Sequence, residues 1–297
     1  MKKLFLLISV ATVTGCILTI CPAPPVLATA DVPPGSFDPR AAYPEGGLAN
    51  PMVHPAGVTG HSCAHPTPDQ AQECRRLEQQ ILASTVRIEW NLWVKDDKDG
   101  EYSRVDRISH ATVKQGRYLV THNHSQVLGS DMKNKEFNRI SIFTADGALI
   151  WPKGPLNSIT VIVEDEETLV LDFGDYDGQG LFALLGVPSA QFSAWESLPL
   201  KPGMEVAQVI CEGEIAYVDW VTIEDVMTSI GTPRLELGNL VTLGTSGGGV
   251  FWNGYHIANT WYQATAYADD RAAVPRQYSV AALNSPRIAA QLANVPQ

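Results

Sequence analysis

Basic side chains are scarce in this 297-residue chain: 21 Lys and Arg stand against 32 Asp and Glu, a formal charge of −11. A surface this acidic repels a polyphosphate backbone, which argues against nucleic acid as a partner. Cysteine is scarcer still, with five in all, and the set His61, Cys63, His65 and Cys74 has none of the standard zinc-ligand spacings. Two acidic stretches, Asp96 to Glu101 and Asp175 to Asp177, lack the EF-hand pattern and read as solvated turns, since Asp and Gly form turns on conformational grounds alone. No long apolar run follows Cys21, so the remainder is expected to be soluble, with no membrane contact. Neither a metal nor a cofactor is expected.

What the N-terminus does have is a leader pattern. Met1-Lys2-Lys3 precedes an apolar run from Leu4 to about Cys21, then Pro22 and the small-x-small site Ala28-Thr29-Ala30. This is the layout of a secretory signal peptide over 1–30, with a secreted or extracytoplasmic chain starting near Asp31. Val13-Thr14-Gly15-Cys16 approximates a lipobox, so lipid anchoring at Cys16 is the minority alternative. Loss of Lys2 and Lys3 with the leader takes the formal charge from −11 to −13. Cys16 and Cys21 leave too. In an oxidising compartment Cys63 and Cys74, close in sequence, are expected to form a disulfide loop, with Cys211 left as a buried thiol.

Residues 31–66 are rich in Pro, Gly and Ala without apolar periodicity and read as an extended arm. Pro68 to Ala83 reads as an amphipathic helix with Cys74, Leu77, Ile81 and Leu82 on one side. Alternating strand patterns then dominate: Thr85–Val94, Tyr102–Lys114 and Arg117–Thr121, then Ile140–Thr144, Ile159–Val163 and Leu169–Phe173. A second strand-rich half has Glu205–Ile210, Ala216–Ile223, Leu235–Thr242, Val250–Trp252 and His256–Trp261, and Ser285–Ala293 reads as a closing helix. The expected class is all-β, two antiparallel six-stranded-type barrels (about 85–180 and 195–284) with a helix at each end, one domain over 67–297.

Two motifs carry chemistry. Gly244-Thr245-Ser246-Gly247-Gly248-Gly249-Val250 follows Leu119-Val120-Thr121-His122-Asn123-His124 by about 120 residues. A serine hydroxyl becomes a competent nucleophile when an imidazole takes its proton and backbone N–H groups receive the oxyanion. Glycines on both sides of Ser246 allow a turn tight enough for the Gly244 and Ser246 amides to converge. His124 ends an apolar strand pattern, which can hold a base rigidly. At these residues the chain resembles the chymotrypsin/trypsin-like serine peptidases, most closely their secreted bacterial high-temperature-requirement branch. The resemblance implies Ser246 as nucleophile and His124 as base. It puts His122 in a slot usually filled by a smaller residue, and His122 reads as a loop histidine.

The resemblance also implies an acid just before a buried apolar strand. Glu167-Thr168-Leu169-Val170-Leu171-Asp172 puts Glu167 in that slot, with Asp172 and Asp165 as alternatives. Thr245 stands where trypsin carries the aspartate that pairs with a newly cut N-terminus, so export rather than propeptide cleavage is expected to deliver a competent enzyme. Leu240 stands at the specificity-pocket position, which implies an apolar P1 side chain. Asn259-Thr260-Trp261 is similar to the segment that binds substrate backbone as an added strand, with Tyr262 replacing a glycine beyond it. With 51 residues after Ser246, the peptide-binding domain that the high-temperature-requirement proteases carry after the protease domain is not expected here. The expected activity is endopeptidase hydrolysis of protein or peptide substrates. The competing expectation is a weakly active or inactive relative that binds peptides or cell-surface polymers in the same cleft. The sequence does not set the oligomeric state.

Overall fold

The structure is a computed structural model that describes residues 62–95, 101–123, 138–155, 159–164, 167–176, 178–212, 214–228, 231–266 and 276–293. The expected leader and arm up to His61, together with His124 and Asp165, lie outside the described residues.

Helix α1 (Pro68–Ala83) has proline in its first turn, and Gln70 Oε1 accepts the Thr67 N–H (3.0 Å) at its N-terminus. Its Cys74, Leu77 and Ile81 are buried, the i, i+3, i+7 stripe expected of a helix laid on a sheet. The disulfide Cys63–Cys74 ties the preceding turn to this helix, with 5.6 Å between its Cα atoms. Closing so short a loop contributes about 3 kcal/mol by the chain-entropy account. The Glu205 carboxylate holds the same turn, accepting from Cys63 N (2.6 Å), Ala64 N (3.2 Å) and Ser62 Oγ (2.8 Å).

The first half is a seven-stranded antiparallel sheet. Its strands are β1 (Thr85–Lys95), β2 (Tyr102–Lys114), β3 (Tyr118–His122), β4 (Arg139–Thr144), β5 (Leu149–Pro155), β6 (Thr160–Glu164) and β7 (Thr168–Asp172), in the order β5-β4-β1-β2-β3-β7-β6. A two-stranded ribbon follows, β8 (Asp175–Tyr176) with β9 (Gln179–Gly180), then helix α2 (Leu181–Leu184) and β10 (Gln191–Phe192). The second half contains β11 (Glu205–Glu212), β12 (Ile215–Met227), β13 (Arg234–Leu237), β14 (Gly249–Trp252), β15 (Tyr255–Ala266) and β16 (Arg276–Leu283), and helix α3 (Pro286–Ala293) ends the described chain. These six strands run β15-β14-β11-β12-β13-β16, and a β15–β16 ladder returns to the start, so the barrel closes and has no free edge. The short β10 adds to β15 in parallel.

The architecture is all-β, as the alternation of residue types predicts. Four expectations shift. The first half has seven strands where six are expected. Leu149–Pro155 is a strand that the Pro and Gly within it concealed; it sits at the sheet edge, where the missing proline N–H costs no ladder bond. The strand expected to run to Thr242 stops at Leu237, because the chain leaves the barrel at Gly238 to build the loop that ends in Ser246. His122 closes β3 rather than lying in a loop. Among the described residues no helix is long and apolar enough to cross a membrane.

The second barrel's core packs Val206, Val221, Ile223, Leu235, Leu237, Val250 and Ile257, each branched residue contributing about 1.5–3 kcal/mol on burial. His256 on β15 lies at its edge against Phe192 and Phe251, with Nε2 3.1 Å from Asn259 Oδ1 and Nδ1 3.4 Å from Asn284 Nδ2. Burial, reinforced by the Lys114 charge, lowers its pKa from 6.5 to about 3, an effect that outweighs the Asn259 bond. The unfolded chain therefore takes up the proton first. Stability is full above about pH 6.5 and is lost as pH falls towards 3, at about 1.4 kcal/mol per pH unit from this residue alone. Urea midpoints should fall between pH 6.5 and 5, with the His256 ring resonances of the folded protein unmoved over that range. A ring that titrates near 6.5 in the folded state would contradict this.

Candidate active site

The cleft lies where β2 of the first sheet meets the Ser246 loop of the second barrel. It has a volume of about 780 Å³, and its walls include Trp90, Ile108, His122, Gly244, Ser246 and Trp261. Three main features bring Ser246 to this seam. Gly244 and Gly247 have φ of +96° and +79°, the left-handed region that side-chain-bearing residues rarely adopt. A Cβ on Gly247 would stand 2.2 Å from His110 O and Thr121 Oγ1, so that only glycine lets the loop approach the first sheet so closely. His110 N–H on β2 then donates to Ser246 O (2.8 Å), stitching the two halves at the serine itself.

The turn's other backbone bonds are local or reach β15. Thr245 N–H donates to Thr242 O (3.2 Å), Gly248 N–H to Thr245 O (2.8 Å), and Gly247 N–H to Thr260 O (2.9 Å). Gly244 N–H has no acceptor among the described residues. Thr245 is fully buried and turns its Oγ1 inwards to accept Cys211 N–H (3.2 Å), where an aspartate would be a buried charge.

His122 is buried and its Nδ1 lies 2.5 Å from the Glu167 main-chain oxygen. A carbonyl only accepts, so Nδ1 carries the proton. The ring meets Trp261 edge-on at 5.9 Å between centroids. Sequence position alone assigned His122 to a loop; its place in the cleft wall depends on the pairing of β3 with β7, which sets His122 opposite Thr168. His124, two residues on, is outside the described residues.

Of the two candidate acids among the described residues, Glu167 sits closer in register to this strand end. It is 5% exposed, its main-chain oxygen also receives Asn123 N–H (3.1 Å), and its Oε2 accepts from Thr232 Oγ1 of the β12–β13 connection. Asp172 lies at the other end of β7, opposite Tyr118, and is held by Arg117 through Nε–Oδ1 (2.5 Å) and Nη2–Oδ2 (2.7 Å). That bidentate pair raises the Arg117 pKa. Sequence separates the two carboxylates by five residues, roughly 16 Å along an extended strand, so Asp172 is an ion-pair partner and not part of the cleft. Asp165 is outside the described residues.

Thr260 and Trp261 line the cleft on β15. The Thr260 hydroxyl faces the barrel interior, accepting from Gln208 Nε2 (2.9 Å) in a buried network that continues through Asn239 and Ser279. Leu240 does not join the cleft wall: it is 51% exposed, and the apolar lining begins at Val241 and includes fully exposed Leu243. Among the described residues no cluster of His, Cys, Asp and Glu is arranged to hold a metal ion.

A closed six-stranded barrel beside a seven-stranded antiparallel sheet, with a glycine-turned serine at the seam, fixes the fold class. The fold is trypsin-like. No family model matches the chain, and no curated protein does. Among solved structures the chain is similar to an HtrA-type protease, AlgW, solved with a decapeptide, at 12% identity and a TM-score of 0.48, over 70% of this chain and 62% of that one. It is similar also to Deg5, at 14% identity and a TM-score of 0.47, over 66% of this chain and 88% of that one. The chain thus spans less than two thirds of the length of the first of these.

Proposed function

We propose that this protein is a secreted serine endopeptidase that cleaves peptide bonds through an acyl-enzyme on Ser246. The observation that carries the reading is the geometry of the Ser246 turn. A left-handed Gly244, whose N–H has no acceptor among the described residues, stands two residues before a half-buried serine at the wall of a cleft. In this reading Ser246 Oγ attacks the scissile carbonyl and His124 takes its proton, then returns it to the leaving amine. The Gly244 and Ser246 amides receive the oxyanion, and water releases the acyl group by the same route in reverse. Glu167 orients the imidazole. Thr260 and Trp261 line the path of an extended substrate, whose apolar P1 side chain packs against Val241 and its neighbours.

A fluorophosphonate tests the covalent step directly. It should label wild-type protein at Ser246, as read by peptide mass mapping, and the label should disappear in Ser246→Ala. Protein that folds yet takes no label would remove the peptidase reading in favour of a cleft that only binds.

A further inference from the structure

The Ser246 turn is gripped by two side chains that the proposed triad does not use. On β2, His110 is 1% exposed and its Nδ1 lies 2.8 Å from Gly244 O. A carbonyl oxygen is only an acceptor, so Nδ1 bears the proton and the ring is held as one tautomer. Nε2 is buried with no partner among the described residues, which disfavours a second proton there. The main-chain N–H of the same residue donates to Ser246 O. His110 thus anchors two carbonyls, and the peptide that carries Ser246 N–H lies between them.

The second grip comes from beneath. Cys211 on β11 is fully buried, and its Sγ is 3.5 Å from Leu243 O, within reach for an S–H donor. Leu243 C=O and Gly244 N–H belong to one peptide unit, and in a trans peptide the two point in opposite directions. A Leu243 carbonyl drawn down to the barrel thiol therefore turns Gly244 N–H outwards, away from the barrel. A Cβ on Gly244 would stand 3.1 Å from that sulfur, so the glycine also lets the turn settle on it.

We propose that His110 and Cys211 are positioning residues that hold the oxyanion turn with both amides donating, so that the hole exists before substrate arrives. The proposal rests on the peptidase reading. His110 fixes the Ser246 amide through Gly244 O and Ser246 O; Cys211 fixes the Gly244 amide through Leu243 O. Neither touches the substrate, and their effect passes through the two N–H groups.

The test compares variants that keep or lose each donor. His110→Leu removes the Nδ1–H at similar bulk, whereas His110→Asn retains a donor near the same place; Cys211→Val and Cys211→Ser form the matching pair. On a peptide substrate, His110→Leu and Cys211→Val should lower kcat by roughly 10²-fold with KM within a few-fold, the signature of a lost transition-state interaction. His110→Asn and Cys211→Ser should recover most of that loss. Equal impairment of the donor-keeping and donor-lacking variants would reduce both residues to packing and overturn the proposal, as would unchanged kcat in the donor-lacking pair. Imidazole 15N shifts of unmodified protein give a readout that needs no activity: His110 should show a neutral Nδ1–H tautomer, and an Nε2–H tautomer would refute the grip. If the wild type shows no peptidase activity and takes no fluorophosphonate, the peptidase reading fails, and the 15N result alone then decides whether His110 holds the turn.

Discussion

Ser246→Ala is expected to lower peptidase turnover by ~10⁶ while leaving the melting temperature within a degree or two of wild type. The size of the effect follows from the covalent step: without Oγ there is no acyl-enzyme, and only the cleft and the oxyanion donors remain to assist water. The fold should not notice. Ser246 is held through its backbone, by His110 N–H on its carbonyl, and by the glycines on either side. Alanine retains all of these. Turnover in Ser246→Ala within a few-fold of wild type, measured on the same peptide and with purity checked by mass, would show that the nucleophile lies elsewhere.

The Ser246 turn was legible because its geometry is written locally. Glycines flank the serine in sequence because they flank it in space, and the positive φ of Gly244 and Gly247 is a property of two residues. α1 was legible for the same reason, since Cys74, Leu77 and Ile81 already mark one helix face. The grips on the turn were not legible. His110 and Gly244 are 134 residues apart, and nothing in Ile108-Ser109-His110-Ala111 distinguishes this histidine from one packed in a core. Cys211 could be read as buried, yet which carbonyl it meets is decided by where the 238–248 loop leaves the barrel. The edge strand Leu149–Pro155 was concealed by its own proline and glycine, which the alternation rule counts against a strand. Leu240 was assigned by counting back from the serine, and counting fails where a loop changes its course.

Glu167→Gln should lower turnover by ~10⁴, the cost of losing the carboxylate that keeps a catalytic imidazole in its productive tautomer while its geometry stays intact. The residue is tied to the strand end that leads to His124: its main-chain oxygen receives Asn123 N–H and His122 Nδ1–H. Glutamine keeps the size and can still accept the Thr232 hydrogen bond through Oε1, so a loss of rate cannot be charged to a collapsed β12–β13 connection. Asp172→Asn should behave in the opposite way. It breaks the paired bonds to Arg117, so stability should fall by roughly 1–3 kcal/mol while kcat stays within a few-fold, because the carboxylate sits at the far end of β7 from the cleft. Measuring kcat and the urea midpoint on both variants separates rate from stability in one experiment. A Glu167→Gln enzyme near wild-type rate would pass the orienting role to Asp165, tested next as Asp165→Asn. An Asp172→Asn enzyme that lost turnover but kept its midpoint would mean that the register drawn between β3 and β7 is wrong.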